Sequence, residues 1–567
     1  MKVKLHSILL YFSIFFEKKQ YVAVRGSGYR VIFDRINGRF SIDYSTILCY
    51  NYLTNIYQET TDMKRTLSAI MALLMLLGVA GTAIACSDPT GSEDTAATTT
   101  AAAVIDDTVA EETVDDRYDS DGYLKDELDP TLNFGGETVN IFAWEHTLPE
   151  FDVEEQSGNI VEDAVYTRNA RTEERLGVEL EFTLAKGNNT AFKDFCQTLS
   201  NTISVGEGAY DLIGCYLRSA GVLTIEHMLV DLLEVDHLDF EKPWWSDSLL
   251  ELNTINNRLY FTSGDIASTL IYQMMFIVYN NDLGEQLNLT NPQALALEGK
   301  WTQELLIEMS KGVYSDLDND GIKSETDRYG LFSITHPLLD IFYMGAGMNY
   351  VIPTAEGDLT LSDDVLSDKS FSIIDRFNDL YHNSNDGFFI KSASATLYAE
   401  GHSLFYNVSG QHLAQQFRNS EINYSILPAP KFDETQENYR TPVAFTHTMY
   451  CIPIDAKNTD KSGAVLECMA SEAYRTVTPA LFETAFKYQY SKNPYDAELF
   501  EVIRDNVVFD IGRPFFDSIG GDSSSPIRVW RMQIENGNNT LASAAKVQLR
   551  AWNKSLTNLS AELKETN

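Results

Sequence analysis

The densest run of potential ligand atoms in the sequence is Asp316-Leu317-Asp318-Asn319-Asp320-Gly321-Ile322-Lys323-Ser324-Glu325-Thr326-Asp327. Calcium takes several hard oxygen ligands from a sharply turning loop. Here acids hold the first, third and fifth places, glycine the sixth and an acid the twelfth. Asp316, Asp318, Asp320, the carbonyl of Ile322, and Asp327 therefore form a candidate site for a structural Ca2+. Asp327 is one methylene shorter than the usual glutamate, and Lys323 stands where an apolar residue commonly supports the loop. The alternative is a solvated acidic turn. A bound ion would be structural, since the site lies in a loop after a helix and brings no nucleophile, and no cofactor is expected to be required. Elsewhere the sequence has no GxSxG, HExxH, P-loop or GxGxxG pattern, and its nine histidines have no partnered spacing. Carboxylates are so abundant that a glycosidase-like pair could be chosen anywhere by chance. No catalytic residue is nominated, and a protein that is not an enzyme is expected.

Aromatic residues offer a different chemistry, since sugars present apolar C–H faces that stack on Trp and Tyr while polar groups fix their orientation. Trp144 and Tyr216 are the candidate platforms, with Glu145 and Asp265 as acceptors for hydroxyls or a cation. Of the adjacent Trp244 and Trp245, at most one can face a ligand, and Trp245 is the candidate. For each aromatic residue, packing into the core is the competing fate.

These residues must be positioned by secondary structure, and the pattern from Glu137 to Tyr216 predicts how. Strand 138–144, helix 160–176, strand 178–184, helix 190–204 and strand 210–216 give the βαβαβ order of a parallel sheet covered by helices. Gly177 stands just past Leu176, where a helix ends by entering the left-handed region. Ligands of open parallel sheets bind beyond the carboxyl ends of the strands, which here deliver Trp144 with Glu145, Lys186 and Tyr216. Strands are expected at 258–262 and 273–279, then a second α/β region with strands 329–334, 403–407 and one entering Pro428, and a further strand at 449–454. A helix starting at Trp301-Thr302, others near 462–474 and 479–488, and a long C-terminal helix over 541–563 complete the prediction. Crossings between two lobes are expected at 279–282, where a strand meets an Asn-Asn-Asp cap, and at 428–431, where two prolines forbid helix. Lobe 1 is then 137–280 with 428–490, and lobe 2 is 281–427 with 491–567. A single core rarely grows beyond about 250–300 residues, which agrees with two lobes.

The amino-terminal portion reads as an export region. Residues 1–62 resemble a non-native extension. Met63 opens a second start with Lys64 and Arg65, an apolar stretch from Leu67 to Ala80, and Ala83-Ile84-Ala85 before Cys86, the pattern of a signal peptide over 63–85. Cys86 stands where a lipoprotein is acylated. Ala83 replaces the usual large aliphatic residue, so cleavage by an ordinary peptidase and release is the alternative. A Thr/Ala-rich and acidic stretch over 86–136 reads as a disordered tether. The chain carries 82 Asp and Glu against 43 Lys and Arg, a net charge of −39. That field repels nucleic acid and predicts neutral or cationic partners. Its six cysteines show no CxxC or Cys/His spacing. Buried free thiols are expected, and a Cys196–Cys215 pair stays open.

Several segments in order resemble one family. They are Cys86 with its tether, Val139-Asn140-Ile141-Phe142-Ala143-Trp144, the helix from Asp163 through Tyr166, Arg168 and Asn169 to Glu174 and Gly177, and Gly208-Ala209-Tyr210-Asp211-Leu212. Lys242-Pro243-Trp244-Trp245, Gly299-Lys300-Trp301-Thr302, Asp327-Arg328-Tyr329-Gly330 and Leu427-Pro428-Ala429-Pro430-Lys431 follow. From about Glu137 onward the chain resembles the type-1 extracellular solute-binding proteins of bacterial ABC importers, a group that includes carbohydrate binders. The resemblance implies a two-lobed, type II-like periplasmic-binding-protein fold, each lobe an α/β sheet flanked by helices and joined by a hinge. It also implies a small-molecule solute, an ABC permease as the membrane partner, a monomer, and a place on the outer face of the cytoplasmic membrane through Cys86; members of the family take sugars, oligosaccharides and other solutes, so a carbohydrate is expected while its identity does not transfer. The competing classes are a secreted carbohydrate-active enzyme and a cell-surface adhesion protein.

Overall fold

A computed structural model describes residues 23–26, 29–32, 117–392, 394–417, 422–482 and 494–564 of the 567-residue chain. The chain divides into two units, 1–111 and 112–567. In the first, Ala23–Gly26 and Tyr29–Ile32 pair as an antiparallel ribbon. The expected second start at Met63, the signal peptide and Cys86 lie outside the described residues.

The second unit is α/β and holds two helix-flanked sheets, as expected. Its first lobe opens with β1 (Glu137–Glu145), α1 (Ile160–Leu176), β2 (Val178–Lys186), α2 (Phe192–Ile203), β3 (Leu212–Tyr216) and α3 (Leu217–Ile225). Asn159 caps α1 by accepting from the Val161 amide. Gly177 ends the helix at φ 59°, the left-handed conformation that glycine adopts without a Cβ penalty. β3 is an unbroken run of buried residues and lies inside its sheet. β2 is mostly exposed along its length and forms an edge, so sequence pattern and position agree.

The chain then passes through the short helix α4 (Ser268–Tyr272) into the second lobe. This contains β4 (Met275–Asn280), α5 (Gln303–Ser310), β5 (Tyr329–Ile334), α6 (Asp368–Asn378), β6 (Gly387–Ile390), β7 (Ser403–Ser409) and β8 (Tyr424–Leu427). A ribbon strand β9 (Thr441–Pro442) leads back to β10 (Thr448–Cys451) and α7 (Thr459–Arg475) of the first lobe. After residues 483–493 the chain re-enters the second lobe through α8 (Pro494–Asp505) and β11 (Val507–Val508), and ends with α9 (Pro526–Glu535) and α10 (Leu541–Glu562). The first sheet has the order β10-β3-β1-β2 and the second β6-β5-β7-β4-β8. In each, one strand runs against the rest: β10 pairs antiparallel with β3, and β4 antiparallel with both β7 and β8. The physical reason is common to both. Each of these strands enters from the other lobe and starts at the edge where the parallel strands end, so both carboxyl edges face one seam.

Four expectations are corrected. β4 belongs to the second sheet, so the first crossing is 266–274 and not 279–282. β8 is also in that sheet, and Lys431 still bridges to Thr302, which moves the return crossing from 428–431 to 441–447. The caps and prolines at the expected places end strands within the second lobe. Residues 258–262 form only isolated bridges. The expected tether does not run to residue 136, because Leu128 is buried and Asp126 pairs with Arg175 and Arg475, fixing this segment to α1 and α7. The four described cysteines, Cys196, Cys215, Cys451 and Cys468, are buried and free. No helix among the described residues is long and apolar enough to cross a membrane.

Candidate functional site

In the first sheet strand order reverses between β1 and β3, the point beyond which open α/β sheets bind ligands. Residues 508–517 enter the seam there and touch both lobes. On the first-lobe side, Arg218 directly after β3 donates from Nε and Nη2 to Asp517, at 2.6 and 2.5 Å, while its guanidinium lies over Phe192 and Phe516. On the second-lobe side, Asp340, placed after β5, accepts both the Nε and Nη2 hydrogens of Arg531. Asp510 accepts from the amides of Tyr350, Val351 and Gly512, and burial pushes its carboxyl up to about 6. Between these pairs stands Arg513, only 3% exposed, with its guanidinium 4.2 Å from the centre of the Phe445 ring.

A glycine permits this approach. A Cβ on Gly221 of α3 would lie 2.2 Å from the Pro514 carbonyl oxygen, so only glycine lets the segment carrying Arg513 settle against the first lobe. His447, on the return crossing, faces the same place. Its Nδ1 lies 2.7 Å from the Ala444 carbonyl, which can only accept, so Nδ1 carries the proton and Nε2 is a bare acceptor. Burial pushes this imidazole down to about 3, keeping it neutral. Arg513, His447, Asn253, Asp510 and Leu217 line a cavity of about 10 Å³, room for about one water.

The five expected ligand residues do not converge. Trp144 is buried. Its Nε1 donates to Thr448 at 2.8 Å and its ring packs 5.7 Å from that of Tyr216, so the expected stacking platform has no open face in this structure. The reason is tertiary: Thr448, the first residue of β10, takes the indole hydrogen bond, and Tyr216 of the intervening β3 packs on the ring, so the indole is held within the lobe. Tyr216 is buried behind the seam, its phenol pushed up to about 12 by that burial and held back by Arg218. Glu145 is exposed at the rim. Trp245 and Asp265 lie apart, in a groove of about 640 Å³ that shares no lining residue with the seam cavity. There the indole N–H groups of Trp244 and Trp245 both donate to Glu467 of α7, at 3.0 and 2.9 Å, and burial pushes that carboxyl up to about 7. Asp265 accepts from Thr478 and pairs with Arg504 at 3.6 Å.

In the aspartate loop, carboxylate oxygens of Asp316, Asp318 and Asp320 lie within 4.8 Å of one another, and Asn319 and Gly321 take φ of 59° and 73° to turn the chain. Asp327 is buried and accepts from the Leu317 and Ser324 amides, fixing the loop from inside, while the Ile322 side chain is 66% exposed. The loop precedes β5, at the edge of the second sheet opposite the seam.

Arg513, His447, Arg218 and Asp517 were not singled out from the sequence. Arg218 follows a strand end and could have been found by the logic that selected Tyr216. Arg513 sits in Gly512-Arg513-Pro514-Phe515-Phe516-Asp517, a segment without periodicity and far in sequence from both sheets.

No protein-family model matches the chain, and no curated protein matches it. Solved structures of similar fold include the ABC substrate-binding protein Lmo0181 from Listeria monocytogenes in complex with cycloalternan, at 12% identity and TM-score 0.47, covering 76% of this chain and 100% of that one. A cyclic alpha-maltosyl-1,6-maltose binding protein from Arthrobacter globiformis matches at 12% identity and TM-score 0.48, covering 75% and 100%. The maltose/maltodextrin-binding domain MalE from Bdellovibrio bacteriovorus bound to maltotriose matches at 15% identity and TM-score 0.44, covering 75% and 99%.

Proposed function

We propose that this chain is an exported solute-binding protein that holds a sugar or oligosaccharide in the seam between its lobes and delivers it to an ABC importer. The observation that carries the reading is the seam itself. Two sheets turn their carboxyl edges toward one line, the chain crosses that line in short segments, and buried polar groups with open hydrogen-bonding capacity collect there. Small-molecule sites usually enclose about 300–1,000 Å³, far more than this cavity of about 10 Å³. The seam here is therefore shut, and a solute enters when the lobes part about the 266–274 and 441–447 segments. A solute that touches both lobes then favours a state closed around itself, more open than this one, by its better contacts there.

On this reading the chain works without turnover, as a monomer, tethered outside the cytoplasmic membrane through acylated Cys86. The aspartate loop holds a structural calcium ion remote from the solute. A thermal-shift and product-analysis screen of the purified chain against neutral and acidic saccharides, with maltotriose and cycloalternan among the first, tests it. A saturable rise in melting temperature with the saccharide recovered intact is expected. Hydrolysed or rearranged saccharide would replace the binder by a carbohydrate-active enzyme.

A further inference from the structure

Three arginines occupy the seam, and two of them use their guanidinium in the same way. Arg218 and Arg531 each present the Nε/Nη2 edge to both oxygens of one carboxylate, Asp517 and Asp340 respectively, the fork geometry that planar carboxylates match. Arg513 has the same edge, equally buried, and neither its Nε nor its Nη2 has a hydrogen-bond partner among the described residues. Nη2 comes no closer than 3.5 Å to an Asp340 oxygen that Arg531 already holds, and Nη1 lies 3.5 Å from the Met344 sulfur. Asp510, the remaining carboxylate, has its oxygens occupied by three backbone amides. The Asp340 contact offsets the charge of Arg513 without supplying a hydrogen bond, and a buried donor of a charged group left without one is costly, more so than a neutral one. A cavity with room for one water cannot satisfy this edge together with the other open groups on its wall.

Those other groups have the opposite character. His447 Nε2 and Asn253 Oδ1 line the same cavity, both buried without partners and both acceptors, since His447 Nδ1 and Asn253 Nδ2 already donate to the Ala444 and Leu249 carbonyls. Arg513, His447 and Asn253 line one cavity, and a bidentate donor together with two acceptors is complementary to a carboxylate flanked by hydroxyls. We propose that the solute carries a carboxylate bound by the Nε/Nη2 edge of Arg513, with its hydroxyls donating to His447 and Asn253: a sugar acid such as a hexuronate or its oligomer. The inference rests on the seam being the place of solute capture. It also reverses the expectation of neutral or cationic partners drawn from the net charge of −39. That field is screened within about 8 Å at physiological ionic strength, so the buried groups at the point of contact decide the ligand.

Matched pairs test this directly. Titration calorimetry of the purified chain with D-glucuronate against D-glucose, D-galacturonate against D-galactose, and oligogalacturonate against a neutral oligosaccharide should show at least one acid binding 10-fold or more tighter than its neutral partner. Arg513→Gln should abolish that preference, with folding checked by circular dichroism. If that variant does not fold, Arg513→Lys, which keeps the charge and loses the fork, should reduce the preference. Neutral saccharides binding as well as or better than acids would overturn the assignment and leave the capture reading standing. An acid preference that survives both substitutions would overturn the role of Arg513. Failure of every saccharide, neutral and acidic, would overturn both the assignment and the capture reading.

Discussion

At Trp144 a single hydrogen bond separates two roles. Its indole donates to Thr448, whose own amide donates to the Thr269 hydroxyl, so the ring is fixed within a network joining β1, β10 and α4. Trp144→Ala is expected to destabilise the fold by about 3–5 kcal/mol, as for other buried aromatic truncations, and Trp144→Phe by about 1 kcal/mol for the lost hydrogen bond. Denaturant midpoints measure both, and an unchanged midpoint for the alanine variant would contradict the burial. Glu467 carries a pH signature. Its carboxyl is raised from an ordinary 4.5 to about 7, first by burial, with hydrogen bonds from Trp245, the Asp239 amide and Trp244 acting against the rise. The folded state then holds a proton that the unfolded state has lost between those values, so this contribution is complete below pH 4.5 and is lost as pH rises through 7. Stability of Glu467→Gln relative to the parent should rise with pH across that window, by about 1.4 kcal/mol per unit where the slope is full. Parallel stability curves would reject the assignment. The constant cost of the one indole hydrogen bond that glutamine cannot accept does not alter the slope.

Among the elements, the 508–517 segment and the aspartate loop are expected to act separately, the first on assembly and the second on any calcium response. The 508–517 segment reaches the first lobe only because Gly221 leaves room for the Pro514 carbonyl. Gly221→Ala forces that backbone away and strains the Arg218–Asp517 pair. A loss of about 1–3 kcal/mol, typical of overpacking, is expected, with faster proteolysis within 508–517. Equal melting temperature and cleavage pattern would show that the segment docks otherwise. The aspartate loop lies at the amino end of β5, and a six-residue strand separates it from the seam by about 16–20 Å. Asp318→Asn with Asp320→Asn should therefore abolish any rise in melting temperature on adding calcium and leave saccharide affinity unchanged. Absence of a calcium response in the parent chain would retire the site, and a parallel loss of saccharide affinity would show that the loop and seam communicate.

For the whole molecule, the size of the cavity in the seam sets the expectation. If the seam admits a saccharide as proposed, the chain cannot rest only in an arrangement with room for about one water. Small-angle scattering of the ligand-free chain should give a larger radius of gyration than the closed structure, falling when a saturating saccharide is added. A ligand-free radius equal to that of the closed form and unchanged by saccharide would exclude hinge closure as the mechanism.

Local rules made most of the first lobe legible. The apolar period and Gly177 placed α1 at 160–176, where it is observed. The strands expected at 178–184 and 210–216 are observed at Val178–Lys186 and Leu212–Tyr216. The aspartate spacing also brought three carboxylates together, because their order within one turn is a property of the local chain. The sequence by itself determined these features, along with the two-sheet α/β class and the acidic surface. What only the tertiary structure decided is where the sheets exchange strands and which side chains meet between them. Thr448 of β10 takes the Trp144 indole hydrogen bond from 304 residues away, and β4 joins the lobe opposite the one its position suggested. Arg513 approaches Asp340 and Phe445 from an aperiodic segment. Contacts of this kind depend on how two crossings return the chain to one seam, and hydrophobic period and turn chemistry act only over the few residues of a single element.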